Sequence, residues 1–270
     1  MRMKSRVGAA FATAAGAVLL LALCPPAALG DDDEPQIEFF YPLVTRRPVI
    51  ERELEFKLTH DKGREGRGTR LAAALEFPLL PRWQIELEVP AVVDDPREGK
   101  GAAGPGDIEI QNKFLLLKAV DVPALVAAGF ELRLPSGSER RGLGGAAAVE
   151  PFLVAGTALG DFDLIGQAAY EWNINAHVKG EREQALTAGV AVGYRLLRRF
   201  TPLVELVTVT QVRGDDDAAN PLRGRTQVYF VPGFNVRPFP RTTARFGIQL
   251  PVTDARTADY TIHGGFVWEF

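Results

Sequence analysis

Apolar and polar residues alternate along most of this chain, and the alternation stops and restarts at intervals. Successive side chains of a β-strand point to opposite faces, so the pattern predicts strands with one apolar face and one polar or small face. Over 50–60, Glu51, Glu53, Glu55 and Lys57 oppose Leu54, Phe56 and Leu58. Over 83–93, Gln84, Glu86 and Glu88 oppose Ile85, Leu87 and Val89, and over 106–117, Asp107, Glu109, Gln111 and Lys113 oppose Ile108, Ile110, Phe114 and Leu116. Glu131 and Arg133 oppose Phe130 and Leu132 over 123–134, and Gln167, Glu171 and Asn173 oppose Leu164, Tyr170 and Trp172 over 162–173. The stretch 183–196 sets Leu186, Val190, Val192 and Tyr194 against the small residues Ala185, Thr187, Gly189, Ala191 and Gly193. Glu205 and Gln211 mark the polar face of 200–212, Gln227, Tyr229 and Asn235 that of 226–236, and Arg245 and Gln249 that of 243–250. Two weaker segments, 69–79 and 147–158, are apolar at most positions, Glu150 being the one charge of the second. With the final stretch 260–270 the set comes to about twelve strands, an even number suited to a closed antiparallel barrel, with ten or fourteen left open.

The connections carry independent information. Long ones, rich in Gly and charge, fall at 61–68, 94–105, 135–145, 174–182, 214–225 and 253–259; tight turns fall between them at 81–82, 119–122, 160–161, 198–199 and 238–241. Strict alternation of long loops and short turns is the asymmetry of a barrel that crosses an outer membrane, with loops outside and turns in the periplasm. A β-sandwich has no reason to keep it. An apolar-in barrel of this many strands would enclose an implausibly large dry cavity, so the apolar face is expected outside, against lipid.

The last strand fits that reading. Ile262, Gly264, Phe266, Trp268 and Phe270 share one face, and Thr261, His263, Gly265, Val267 and Glu269 the other. A terminal strand with so apolar a face would be a sticky edge in a soluble sheet, the competing interpretation. His263, Gly265, Trp268 and Phe270 also resemble the C-terminal signal of bacterial outer-membrane proteins. That resemblance implies the barrel-assembly machinery as a partner, with outer-membrane lipid and lipopolysaccharide around the barrel.

The first residues are of another kind. Arg2, Lys4 and Arg6 precede an almost wholly apolar run over 7–23, and Ala28, Leu29 and Gly30 offer small residues for cleavage. This is the pattern of a secretory signal peptide over 1–30. A retained helix and lipoprotein processing at Cys24 are the alternatives, the latter disfavoured by Leu23. Cleavage would remove the one cysteine and three basic residues, leaving a chain more acidic than the full-length net charge of −3. That excludes a disulfide scaffold, and the absence of a basic stripe argues against nucleic acid as a partner. The expected organisation is a signal peptide over 1–30, a periplasmic segment over 31–49 and the barrel over 50–270. The segment opens on the acidic 31–34 and holds Phe39, Phe40 and Tyr41, which would form a lead-in, an interface anchor or a plug in the barrel mouth.

Little in the chain suggests catalysis. His60, His177 and His263 have no metal-site spacing, and no metal or cofactor is expected. Ser136 and Ser138 lie in one loop, and a Ser138/His177 pair is the weak case for a hydrolase. Asp215, Asp216 and Asp217 suit a solvated loop better than a Ca²⁺ site. The more telling set is the polar face: Glu51, Glu53, Glu55, Glu86, Glu88, Asp107, Glu109, Lys113 and Glu131 with Arg133, Glu171 and Glu205, and, from late strands, Arg195, Arg213, Arg237 and Arg245. Pointing into one lumen, they would form opposing charged walls along a water-filled path, or a filled, salt-bridged interior.

Two stretches carry a family resemblance. Gly106 and Asp107, followed by Lys113, Phe114 and Leu115, look like the Gly-Asp…Lys-aromatic-Leu strand of the outer-membrane family named for the meta-pathway of phenol degradation. Leu134, Pro135, Ser136 and Gly137, then the glycine-rich 142–145 and Pro151, resemble its Leu-Pro-Thr-Gly segment, with Ser136 in place of Thr and Phe114 where Tyr is common. The resemblance implies an outer-membrane barrel that admits small hydrophobic or aromatic solutes; it implies no phenol chemistry and assigns no substrate residues. A transporting, non-enzymatic barrel is the expectation, with inner charges setting selectivity and the Phe39–Tyr41 segment at the periplasmic mouth. The alternative is a structural or adhesion barrel with a filled lumen, acting through its loops.

Overall fold

The structure, a computed structural model, describes residues 37–174, 184–197, 199–213 and 222–270. The leader with Cys24, the acidic start, His177 and the three aspartates 215–217 lie outside those residues. The described chain forms β1 (Glu53–Lys62), β2 (Gly66–Leu80), β3 (Trp83–Pro96), β4 (Ala102–Pro105), β5 (Ile108–Ala119), β6 (Ala124–Leu134), β7 (Ala148–Leu159), β8 (Phe162–Asn173), β9 (Gln184–Tyr194), β10 (Phe200–Arg213), β11 (Thr226–Val236), β12 (Thr242–Pro251) and β13 (Tyr260–Glu269). All pairings are antiparallel between neighbours, and β1 pairs with β13 from Glu53↔Glu269 to Lys62↔Tyr260, which closes the sheet. Twelve strands make the ring among the described residues; β4 only adds to the far end of β3, at Ala91↔Pro105 to Asp94↔Ala102. No helix among the described residues is long and apolar enough to cross a membrane.

The register fixes the sense of the barrel. Glu53, Glu76, Glu86 and Gln111 sit side by side on four consecutive ring strands, facing inward and screened from solvent. The opposite face exposes Leu116, Leu153, Leu164, Leu186, Val190, Leu206, Phe230 and Phe246. Apolar side chains outside and charges inside is the arrangement a lipid solvent selects. Near the end of the barrel with the short turns, outward aromatics gather in pairs: Trp83 stacks on Phe114 at 5.8 Å, Phe162 meets Tyr194 at 4.7 Å, Phe234 meets Phe246 at 6.0 Å, and Trp268 meets Phe270 at 5.4 Å. Such a rim suits the interface between acyl chains and water.

Two expectations are corrected. Residues 61–68 are not a long loop: the ladder runs on through Asp61↔Gly68 and Lys62↔Arg67, leaving 63–65 as the connection. Likewise β3 continues to Pro96, and β4 arises within the expected loop 94–105. Where strands rise clear of the apolar band, both faces meet water, so polar residues stay in the ladder and the alternation that marks a strand is lost.

Candidate functional site

Residues 37–50 lie inside the barrel. The segment enters at the turn end, where Glu38 pairs with Arg237 at 3.3 Å, bends at residues 43–45 near mid-depth, and returns to the turn end to begin β1. One wall of the lumen is shaped to receive it. Phe39 and Phe40 are buried against Leu125, Ala127, Val154, Ile165, Ala191 and Leu203, all inward-facing on β6 to β10. The small inner face of β9 makes the room: a Cβ at Gly193 would run into the Phe40 ring, and one at Gly189 would come 3.1 Å from Thr45 Oγ1. Leu43 packs on Val207, Tyr229 and Val231 further round.

Polar contacts hold the rest. Glu205 is fully buried, and its carboxylate accepts the backbone N–H groups of Leu43 at 2.5 Å, Val44 at 3.2 Å and Thr45 at 2.8 Å. Asn235 makes a two-way bond with the Tyr41 backbone, accepting its N–H at 2.7 Å and donating to its carbonyl at 2.9 Å. Arg245 donates to the carbonyl of Pro42 and pairs with Glu55, and Gln167 accepts the Arg46 N–H at 2.8 Å. The Tyr41 hydroxyl lies 2.9 Å from Glu53 and 2.8 Å from Glu269, carboxylates that oppose each other across the closing seam. Burial, against the pull of Arg47 and aided by Glu51, Glu53 and Glu269, raises the Tyr41 hydroxyl above its ordinary value and keeps it a donor. Arg47 reaches Glu51 at 2.5 Å and Glu53 at 3.5 Å, with its guanidinium 3.7 Å over the Tyr41 ring. Arg46 points across the lumen to Glu131 at 2.9 Å and Glu150 at 2.6 Å.

Opposite the packed wall, a cavity of about 270 Å³ remains between the segment and β1, β2, β3, β5 and β6. Its wall is ionic. Lys57 bridges Glu86 at 3.0 Å, Glu88 at 2.9 Å and Glu55 at 3.5 Å; Arg70 joins Glu88 to Glu109; Lys113 lies 3.4 Å from Glu76; and Arg133 pairs with Glu171 at 2.7 Å. Burying so many carboxylates is tolerable only because a cation stands within reach of each cluster. A second space of about 270 Å³, lined by Phe40, Asp163, Arg195 and Arg237 among others, opens at the turn end.

The structure thus gathers Glu51, Glu53, Glu55, Glu86, Glu88, Glu109, Lys113 and Glu131 around one cavity, with Arg245 closing it and Arg133 and Glu171 beyond. It does not form opposing charged walls. Cations from adjacent strands intersperse with the glutamates, because like charges directly across a sheet repel. Arg195 and Arg237 sit at the turn-end mouth, Arg195 on Asp163 at 3.1 Å, and Arg213 projects to solvent past a bulge. Asp107 is not on the cavity. Its carboxylate accepts the N–H groups of Gly137 at 2.7 Å, Gly145 at 2.8 Å and Ala146 at 3.1 Å, tying down the β6–β7 connection. Gly144, at φ +136°, passes so close to Asp107 that a side chain has no room. The two stretches that carry the family resemblance therefore meet in space, Ser136 Oγ also accepting the Ile108 N–H at 2.9 Å.

In the terminal strand, His263 and Gly265 face inward, His263 against Gln249 at 3.0 Å and Gly265 beneath Arg245, while Trp268 and Phe270 form an outward pair. The wall residues not anticipated are Arg70 and Glu76, hidden in the apolar-looking β2, and Arg46 and Arg47, which precede the first strand.

Solved structures of outer-membrane barrels share this fold. The COG4313 outer membrane channel from Pseudomonas putida F1 aligns over 86% of this chain and 100% of its own, with a TM-score of 0.63 and 12% identity. The NanC porin aligns over 80% of this chain and 100% of its own at TM-score 0.57 and 11% identity, and the KdgM porin over 81% and 99% at 0.54 and 12%. No protein-family model and no curated protein matches the sequence. What these likenesses establish is the architecture: a closed, twelve-stranded antiparallel barrel like those of outer-membrane proteins, with the phenol meta-pathway resemblance resting on its motifs alone.

Proposed function

We propose that this protein is an outer-membrane channel for small solutes, shut at its periplasmic mouth by residues 37–50 acting as a plug. The observation that carries the reading is the division of the lumen. One wall binds the chain segment that precedes β1, and the other lines an ionic cavity that the segment caps. Nothing about holding the barrel closed requires so costly a wall, since an apolar interior of equal volume would be at least as stable. A water-filled path does require it. The channel architecture of the structural neighbours supports the same reading, as do the lipid-facing outer surface and the terminal signal for the assembly machinery. The polar wall favours hydrophilic or charged solutes over the hydrophobic or aromatic ones that the family resemblance implies.

Solute flux into liposomes tests this. Deleting residues 37–48 from protein prepared from Asp31 onward should raise uptake of small sugars by about tenfold or more over the intact chain. Phenol-sized aromatics in parallel separate the two solute classes. A deletion barrel that folds, judged by heat-modifiable gel mobility, yet passes nothing would overturn the reading. It would leave a filled barrel acting through its loops, which the dense bonding of the segment favours. A point variant offers a milder check: Gly193→Ala drives a methyl group into the Phe40 ring, so it should loosen the plug and increase flux.

A further inference from the structure

The seat of Arg46 has the chemistry of a receptor. Its guanidinium donates through Nε to Gln111 Oε1 at 2.9 Å, and through Nη2 to Glu131 at 2.9 Å and Glu150 at 2.6 Å, with Cζ 4.7 Å from the centre of the Phe152 ring. All four partners belong to the barrel, on β5, β6 and β7. Gln111, Glu131 and Glu150 lie directly opposite one another across the three strands. Two carboxylates in direct cross-strand register repel unless a cation joins them. At Glu88 and Glu109, also in register, the joining cation is Arg70, a barrel residue that stays in place. At Glu131 and Glu150 it is Arg46, supplied by the segment that must leave if the channel opens.

We infer that Gln111, Glu131, Glu150 and Phe152 form a binding site for a guanidinium-type organic cation, which Arg46 occupies in the closed state as a tethered surrogate. The inference rests on the reading of residues 37–50 as a movable plug and names the solute class of the same lumen. Two carboxylates and an amide oxygen match the planar fork of a guanidinium, and the aromatic face suits its weakly hydrated surface. Charge agrees: of the strand residues around the cavity, seven are carboxylates and three are cations, so an emptied lumen attracts cations. Withdrawing the plug takes Arg46 and Arg47 with it and strengthens that bias. A guanidinium solute would then compete with Arg46 for the seat and favour release of the plug, so the channel would open to what it carries.

The test vacates the seat by Arg46→Ala in the otherwise intact, refolded barrel. Calorimetric titration with methylguanidinium, at constant ionic strength, should show binding at least about tenfold tighter than that of methylammonium or neutral N-methylurea. Binding should be at least about tenfold weaker in the parent, where the probe must displace Arg46, and lost from Arg46→Ala when Glu131→Gln and Glu150→Gln are added. No binding, or equal binding of the three probes, would overturn the inference. Liposome flux of the barrel lacking residues 37–48, in which no plug holds the lumen shut, separates it from the channel reading. Solute passage without methylguanidinium binding leaves the channel and removes the site; binding without passage of any solute keeps the site and removes the channel.

Discussion

Glu205→Gln should leave the barrel folded and the plug loose. The Glu205 carboxylate is fully buried and accepts three consecutive backbone N–H groups at the tip of the inner segment. Hydrogen bonds to a charged group contribute about 1.5–3 kcal/mol each, and glutamine keeps one acceptor while turning an amide donor toward the same N–H groups. A net loss of about 3 kcal/mol from the seated state multiplies the ratio of released to seated plug by about a hundredfold. Planar-bilayer recording should show this as a large rise in the conducting fraction of time. Heat-modifiable mobility should not change, because the ladders of β10 with β9 and β11 do not involve the side chain. Unchanged conductance in a folded Glu205→Gln barrel would mean that this carboxylate does not hold the plug.

Lys57→Met should do the reverse, weakening the barrel rather than the plug. Lys57 stands among Glu55, Glu86 and Glu88 on two ring strands, at 3.5, 3.0 and 2.9 Å. Removing the cation takes away the ion-pair partner of Glu86 and one of the two that hold Glu55 and Glu88, the others being Arg245 and Arg70. Breaking a buried ion pair by deleting one partner costs about 3–5 kcal/mol. Denaturant titration of the refolded protein should show a loss of that size, and Lys57→Met combined with Glu86→Gln and Glu88→Gln should recover much of it. A loss below about 1 kcal/mol would place these charges in bulk-like water, as in a wide pore.

Much of the barrel was legible because lipid outside and charge inside force a period of two on each spanning strand. The segments 162–173 and 226–236 match β8 and β11 to the residue. Legibility failed where one of those solvents is missing. Beyond the membrane the alternation has no cause, so the β1–β2 connection is shorter than the pattern implies. On β2, Ala72 and Ala74 occupy the inner face between Arg70 and Glu76, so an ionic wall strand reads as an apolar one. The site was half legible. The glutamates could be read from their alternation, but their partners could not. Charge pairing depends on which strands become neighbours, and Arg46 and Arg47 lie on irregular backbone with no period at all. The small inner face of β9 was visible as a pattern; its cause, the space that Phe40 and Thr45 occupy, needed the fold. Asp107 shared the parity of Glu109 and was grouped with it, yet it precedes the strand and serves a loop.

The central claim is that residues 37–50 block a path that opens when they move. Thr45 and Gly189 give direct access to it, since a Cβ at Gly189 would lie 3.1 Å from Thr45 Oγ1. That is within reach of a disulfide, whose Cβ atoms sit about 3.8 Å apart. Protein prepared from Asp31 onward has no cysteine of its own, so Thr45→Cys and Gly189→Cys can be paired cleanly. The measurement is sugar flux into liposomes holding this double variant with Glu205→Gln, oxidised and then reduced. The account predicts flux in the reduced protein, none in the oxidised, and full recovery on adding dithiothreitol. Equal flux in both states, or none in either from a folded barrel, would contradict it.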